Sequence, residues 1–268
     1  MLRTRVVTAV LMLAVLLGAL FFLPLPGWLG VCALICAVAA WEWGGLAGWN
    51  SRARIAYAVV LGAIVLAIGG LRLGAVFVVL DAVAVAFWLL VAPLWLRRKW
   101  SLRPWSAVLT GFFVLVPATL VFVLLRGLFG PVALLAVAAI VWVADIAAYF
   151  SGRAFGGKKL APAISPGKTW AGAIGAVVGV VIYGCVVLFL AHGASLYQVL
   201  SWVPVFVALT ALSIVGDLFE SLLKRQAGVK DSSNLLPGHG GVLDRVDSLT
   251  STLPVVGLLA VGLLAYIV

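Results

Sequence analysis

Charge is scarce in this sequence, and acid is scarcest. Only 10% of the 268 residues are Asp, Glu, Lys or Arg, against about a quarter in a soluble domain. No polar stretch is long enough to form a soluble domain, so lipid must be the solvent for most of the chain. Cysteine is nearly missing too: Cys32 and Cys36 lie one helical turn apart in an apolar run, and Cys185 lies in another. That spacing offers neither a disulfide framework nor a metal-ligand grouping and leaves buried, inert thiols. A repeat of fixed period, a low-complexity segment and an interdomain linker are all lacking. The expected organisation is a single membrane domain over residues 1–268.

What is abundant is apolar: 65% of the residues. A hydrocarbon core of about 30 Å needs roughly 20 apolar residues per helix. Nine such stretches can be read, at about 6–23, 28–47, 55–71, 74–95, 106–125, 131–150, 171–191, 199–218 and 249–267. The fold class expected is therefore all-α, a polytopic membrane protein. The first stretch follows Arg3 and Arg5 as a secretory signal would, but it is long and no small-x-small cleavage site follows, so it is read as an uncleaved first helix.

Lys and Arg are retained on the cytoplasmic side of membrane proteins. With nine spans and the N-terminus inside, 16 of the 18 basic residues fall in inner segments, and only Arg72 and Arg126 fall outside. The net charge of +10 then needs no nucleic-acid partner. Trp28, Trp49, Trp95, Trp100, Trp105, Trp170 and Trp202 lie near span ends, as an interfacial belt requires.

The eight acidic residues are placed unevenly: Asp217, Glu220, Asp231, Asp244 and Asp247 crowd into 31 positions. Topology does not ask for them, and a carboxylate near a span is costly, so they need a reason. If the eighth helix continues to about 226, Asp217, Ser221 and Lys224 or Arg225 share one face. Asp244, Asp247 and Ser248 do the same where the next helix starts. Between them runs Pro237-Gly238-His239-Gly240-Gly241, whose glycines let backbone N–H groups curl around an anion. Lys224, Arg225, Lys230 and Arg245 supply cationic donors. Carboxylates, cations and a glycine turn are the ingredients of a metal–triphosphate site. The competing reading is a solvated loop with snorkelling Lys and Arg. It leaves the Asp-Arg-Val-Asp run after His-Gly-Gly unexplained.

A second cluster runs from Asp145, inside the sixth stretch, to Lys168. Gly167-Lys168-Thr169 looks like the tail of a P-loop, but the leading glycine would fall at Pro162 and no strand precedes it. What remains is a lysine beside a helix start, flanked by the hydroxyls of Ser165 and Thr169, where free N–H groups favour an anion. The site is thus expected from residues 145–170 and 217–248 together.

Residues 221–247, SLLKRQAGVKDSSNLLPGHGGVLDRVD, closely resemble the signature of the phosphatidate cytidylyltransferase (CDP-diacylglycerol synthase) family. Asp145–Tyr149 and Ser165–Trp170 resemble its other shared elements, although Ala171 stands where many members carry an acidic or polar residue. The resemblance implies CTP + phosphatidate → CDP-diacylglycerol + pyrophosphate, at the cytoplasmic face of an inner membrane, by a homodimer. It implies Mg²⁺, and a second cation can be accommodated. Asp217 and Asp244 are expected as chief metal ligands, Asp231 and Asp247 as supporting ones. Lys168, Lys224, Arg225, Lys230 and Arg245 would bind phosphates, with Ser165, Thr169 and Ser221 beside them. Gly240 and Gly241 would close the loop and His239 would orient a substrate. Two other classes stay open, a transporter and a CTP-using lipid kinase; released product, pyrophosphate or CDP, separates the kinase.

Overall fold

The computed structural model describes residues 2–71 and 74–267; Arg72 lies outside the described residues, as do the side chains of Arg3 and Arg5. Ten helices follow in order: α1 (Leu2–Phe22), α2 (Leu25–Leu46), α3 (Ser51–Gly70), α4 (Gly74–Ala86), α5 (Ala92–Arg98), α6 (Pro104–Phe155), α7 (Trp170–His192), α8 (Leu196–Ser201), α9 (Val203–Gln226) and α10 (Leu243–Ile267). A π-helical turn, Phe87–Val91, joins α4 to α5 as one rod. Seven helical segments among the described residues are long and apolar enough to cross a membrane, and a shorter apolar helix spans Val6–Phe22. The ends are set by local chemistry. The Asn50 side chain accepts from Ala53 N at the start of α3, Thr169 accepts from Gly172 N at the start of α7, and left-handed Gly193 closes α7.

As a straight rod, the 52 residues of α6 would be about 78 Å long, more than twice the hydrocarbon thickness. The rod is broken at Gly130, whose φ of 83° and ψ of 175° are not helical, just before Pro131. Contacts at the two ends show that α6 folds back there. At its start, Ala107 O accepts from Trp43 Nε1 at 2.9 Å and Val108 O from Tyr57 Oη at 2.7 Å. Near the break, Arg126 Nε donates to Leu20 O at 2.8 Å, and its guanidinium also reaches Leu23 O. Arg126, one of the two basic residues outside the expected inner segments, therefore satisfies carbonyls at the end of α1. The second arm returns to the end where it began, because Gly152 lies against Thr169 beside the loops described below.

The belt expectation is corrected at two positions. Trp28 and Trp95 are buried, with Trp28 Nε1 directed at Phe122 O and Trp95 Nε1 at Trp100 O. Their rings pack helices, and the apolar body of tryptophan suits a helix interface as well as a headgroup layer. Phe219 of α9 is ringed by Phe87, Trp88 and Trp95, each edge-on at 5.5–5.7 Å, with Trp43 stacked at 6.5 Å. This aromatic socket fixes α9 between α2 and the α4–α5 rod, one residue from Glu220 and two from Asp217.

On its other side α9 meets α10 at Gly216. A Cβ there would strike the Ser251 hydroxyl and come 2.8 Å from Asp247 O. Ser251 Oγ donates across to Leu212 O at 2.8 Å and Ser248 Oγ to Ser213 O at 3.2 Å. Small and hydroxyl residues let two helices approach where no water drives them together. The approach sets Asp247 beside Asp217.

Candidate active site

Residues 159–169, expected as loop, form a short hairpin of β1 (Lys159–Ala161) and β2 (Ser165–Thr169). The segment has no alternating apolar pattern. It is anchored by buried Ile164, whose N–H turns back to Ala161 O. The hairpin leads straight into α7 and projects Lys168 at Asp217, with which it forms an ion pair. Ser221 Oγ donates to Asp217 Oδ1 at 3.2 Å, the i,i+4 pairing expected on that face.

Lys168 and Asp217 line a cavity of about 490 Å³ between α6, α7 and α9. Its polar rim is Asp145, Tyr149, Arg153, Lys168, Thr169 and Asp217; its inner wall is small and apolar, with Ala144, Ala148, Gly172, Ala173 and Ala176. Asp145, which opens the second sequence cluster, belongs to this cavity. Asp145, Asp217 and Asp247 lie close enough to feel one another's charge, and Lys168 and Arg245 act on Asp145 as well.

A second polar network lies at the start of α10. Lys224 Nζ donates to Asp244 Oδ1 at 2.5 Å and sits 3.1 Å from Glu220 Oε1. Asp244 Oδ2 accepts from Ser232 N, Ser232 Oγ and Gly241 N, each at 2.8 Å. Both oxygens of Asp244, expected as a chief metal ligand, are thus engaged by donors of the protein. In this arrangement it ties the loop to the start of α10. Fully buried Glu42, near the end of α2, reaches the same loop. It accepts from Ser233 Oγ at 2.5 Å, Val242 N at 3.0 Å and Leu243 N at 2.6 Å.

The other expected residues are more dispersed. Thr169 spends its hydroxyl oxygen on the α7 cap, and Ser165 opens β2 opposite Ala161. Gly240 has φ of 80°, bridges to Leu236, and has Asp231 beside it: a Cβ at Gly240 would lie 3.2 Å from Asp231 Cβ. His239 N donates to Leu236 O at 2.8 Å, while its Nδ1 is buried without a partner among the described residues. Arg225, Lys230 and Arg245 are exposed and form no ion pair among the described residues. Nothing local in the sequence marks Glu42, whose partners lie some 190 to 200 positions away.

Among the described residues no three acidic, His or Cys side chains converge tightly enough to hold a metal ion by themselves. Mg²⁺ beside nucleotides is commonly bound by one or two carboxylates together with phosphate oxygens and water. The donor set fits through Asp217 with Asp247 at its side, all hard oxygen, with Asp247 Oδ1 also accepting from Ser248 N at 2.7 Å.

Fold and site together define a class: a polytopic membrane protein that gathers cations, carboxylates and a glycine loop at one end of its helices. The model of the Cytidylyltransferase family matches residues 3–262, and the chain belongs to that family. It is 41% identical over 263 residues to a phosphatidate cytidylyltransferase of Pseudomonas aeruginosa, covering 95% of each chain. It is 37% identical over 282 residues to one of Haemophilus influenzae, covering 95% of this chain and 96% of the relative. A phosphatidate cytidylyltransferase of Thermotoga maritima is 42% identical over 130 residues, about half of each chain.

Proposed function

We propose that this chain is a CTP:phosphatidate cytidylyltransferase, which makes CDP-diacylglycerol and pyrophosphate at the cytoplasmic face of the inner membrane. The observation that carries the reading is the pairing of Lys168 with Asp217, which joins the two sequence clusters across one cavity. Family membership supplies the substrates. A phosphate oxygen of phosphatidate attacks the α-phosphorus of CTP; a P–O bond forms, the bond to the β-phosphate breaks, and its electron pair leaves with pyrophosphate. The attacking oxygen is already anionic, so no proton has to be removed first. Such a transfer needs positioning and charge neutralisation above all.

Asp217, with Asp247 beside it, would hold Mg²⁺, which supplies positive charge to the phosphate oxygens when bound. Lys168 turns its ammonium from Asp217 to a substrate phosphate. Arg225, Lys230 and Arg245, exposed on the water side, draw in the triphosphate. Asp244, Lys224 and Gly241 hold the loop in shape. Small apolar residues on α6 and α7 give the cavity a wall against which the apolar part of the lipid can lie, with its phosphate at the polar rim.

Purified protein given labelled CTP, Mg²⁺ and phosphatidate should release pyrophosphate and CDP-diacylglycerol in equal amounts. Release of CDP with a phosphorylated lipid would make it a lipid kinase instead. The homodimer implied by the resemblance is part of the proposal, and light scattering in detergent tests it.

The topology proposed is nine crossings with the N-terminus inside, counting α1 and both arms of α6. The distribution of Lys and Arg and the fold-back at Gly130 support it. In a Cys-free background, Asn234→Cys should resist impermeant maleimide in intact cells and react after the membrane is opened. Labelling from outside would reverse the orientation.

A further inference from the structure

We propose that Glu42 is a positioning residue of the active site, a cap supplied by α2 that holds the glycine loop and the first turn of α10 in their working shape. This rests on the reading of that loop as part of the cytidylyltransferase site. The first N–H groups of a helix have no partner within it. In most helices a side chain just before the first turn accepts from them. Here Val242 N and Leu243 N are instead satisfied by a carboxylate more than 190 residues upstream, at 3.0 and 2.6 Å. Gly241 N, one residue earlier, goes to Asp244. Two carboxylates therefore share the start of α10, where negative charge is favoured.

Glu42 also grips the other side of the loop. Ser233 Oγ donates to Oε1 at 2.5 Å. Ser232 Oγ lies between the carboxylates, 2.8 Å from Asp244 Oδ2 and 3.3 Å from Glu42 Oε2, and its single proton serves the nearer. Residues 232–233 and 242–243, the two ends of the glycine loop, are thus tied to one buried group. The close approach needs glycine at 241: a Cβ there would strike Ser232 Oγ and Glu42 Oε1 and lie 2.7 Å from Glu42 Cδ. The carboxylate is itself held firmly. Trp43, the next residue, donates to Ala107 O and stacks on Phe219, and Arg54 lies 3.8 Å over the Trp41 ring and donates to Trp41 O. A rigid helix end presents a rigid acceptor, the condition for a supporting group to control a loop.

The test uses the full chain in detergent. In Glu42→Gln the side chain keeps its shape, but one oxygen becomes a donor facing the donors of Val242, Leu243 and Ser233. We expect kcat/KM for CTP to fall about 10- to 100-fold, as when outer supports of a site are removed. We also expect amide exchange to quicken at 232–243 alone, with α2, α3 and both arms of α6 as protected as before. Gly241→Ala should show the same pair of changes. The double variant should be no worse than the poorer single one, because both act on one contact. Wild-type turnover and loop exchange in Glu42→Gln would overturn the proposal. Multiplying losses in the double variant, or exchange quickened throughout the protein, would do so too. If the unaltered protein makes no CDP-diacylglycerol, the activity reading fails, and the local exchange at 232–243 still decides the role of Glu42.

Discussion

Asp217→Asn is expected to abolish CTP-dependent turnover, a fall of about a thousandfold or more, while the protein still folds and inserts. The change keeps the shape of the side chain and its hydrogen bond from Ser221. It removes the charge that pairs with Lys168 and that would hold a divalent cation. Both partners then lose their reason to converge, so cation and lysine fail together. Turnover measured over a range of Mg²⁺ concentrations checks this; a near-normal rate at limiting Mg²⁺ would take the metal away from Asp217. Asp81→Asn is the control. Asp81 is the deep carboxylate, buried at Gly257 of α10 with no hydrogen-bond partner among the described residues, and it lies away from the site. Its amide should retain substantial activity.

Lys168→Ala should lower kcat/KM for CTP by about 30- to 1000-fold, the equivalent of losing one charge-assisted contact worth about 2–4 kcal/mol in the transition state. Lys168 is half-buried at the cavity, on a strand that runs directly into the α7 cap. Removing it also frees Asp217, so the variant should tolerate lower Mg²⁺ even as its rate falls. Lys159→Ala, with the same charge on the partner strand, is exposed and lines no part of the cavity. It should lose little. Equal mild losses in the two would mean that Lys168 is only a charge on the inside and that the site belongs to residues 217–247 alone.

How much of this could be read beforehand differs from residue to residue. The α9 face of Asp217 and Ser221 and the first turn of α10 follow from helical spacing, which is local. The hydrophobic lengths located the helices, and the gap between the stretches at 106–125 and 131–150 marked the fold-back of α6. The β1–β2 hairpin could not be read, because Lys, Pro and Gly offer no alternation and Ile164 is its one fully buried apolar side chain. The inward turn of Trp28 and Trp95 was equally hidden, since a tryptophan near a span end suits core and interface alike. Asp244 was recognisable as important, yet three of its four donors depend on the path of residues 230–242. Glu42 was the least legible: a carboxylate near the end of a span looks the same whether it meets solvent or caps a helix two hundred residues later.

That distance has a consequence for how the protein is made. At about 5–20 residues per second, roughly 10–40 s separate the synthesis of Glu42 from that of Val242 and Leu243. Through that interval the carboxylate has none of these donors, and its place near the end of α2 leaves it close to headgroups and water rather than at the hydrocarbon centre. The loop before α10 and the first residue of that helix supply the partners that bury it. The glycine loop acquires its shape only then, so the nascent chain carries nearly all the residues of its site before it has a site.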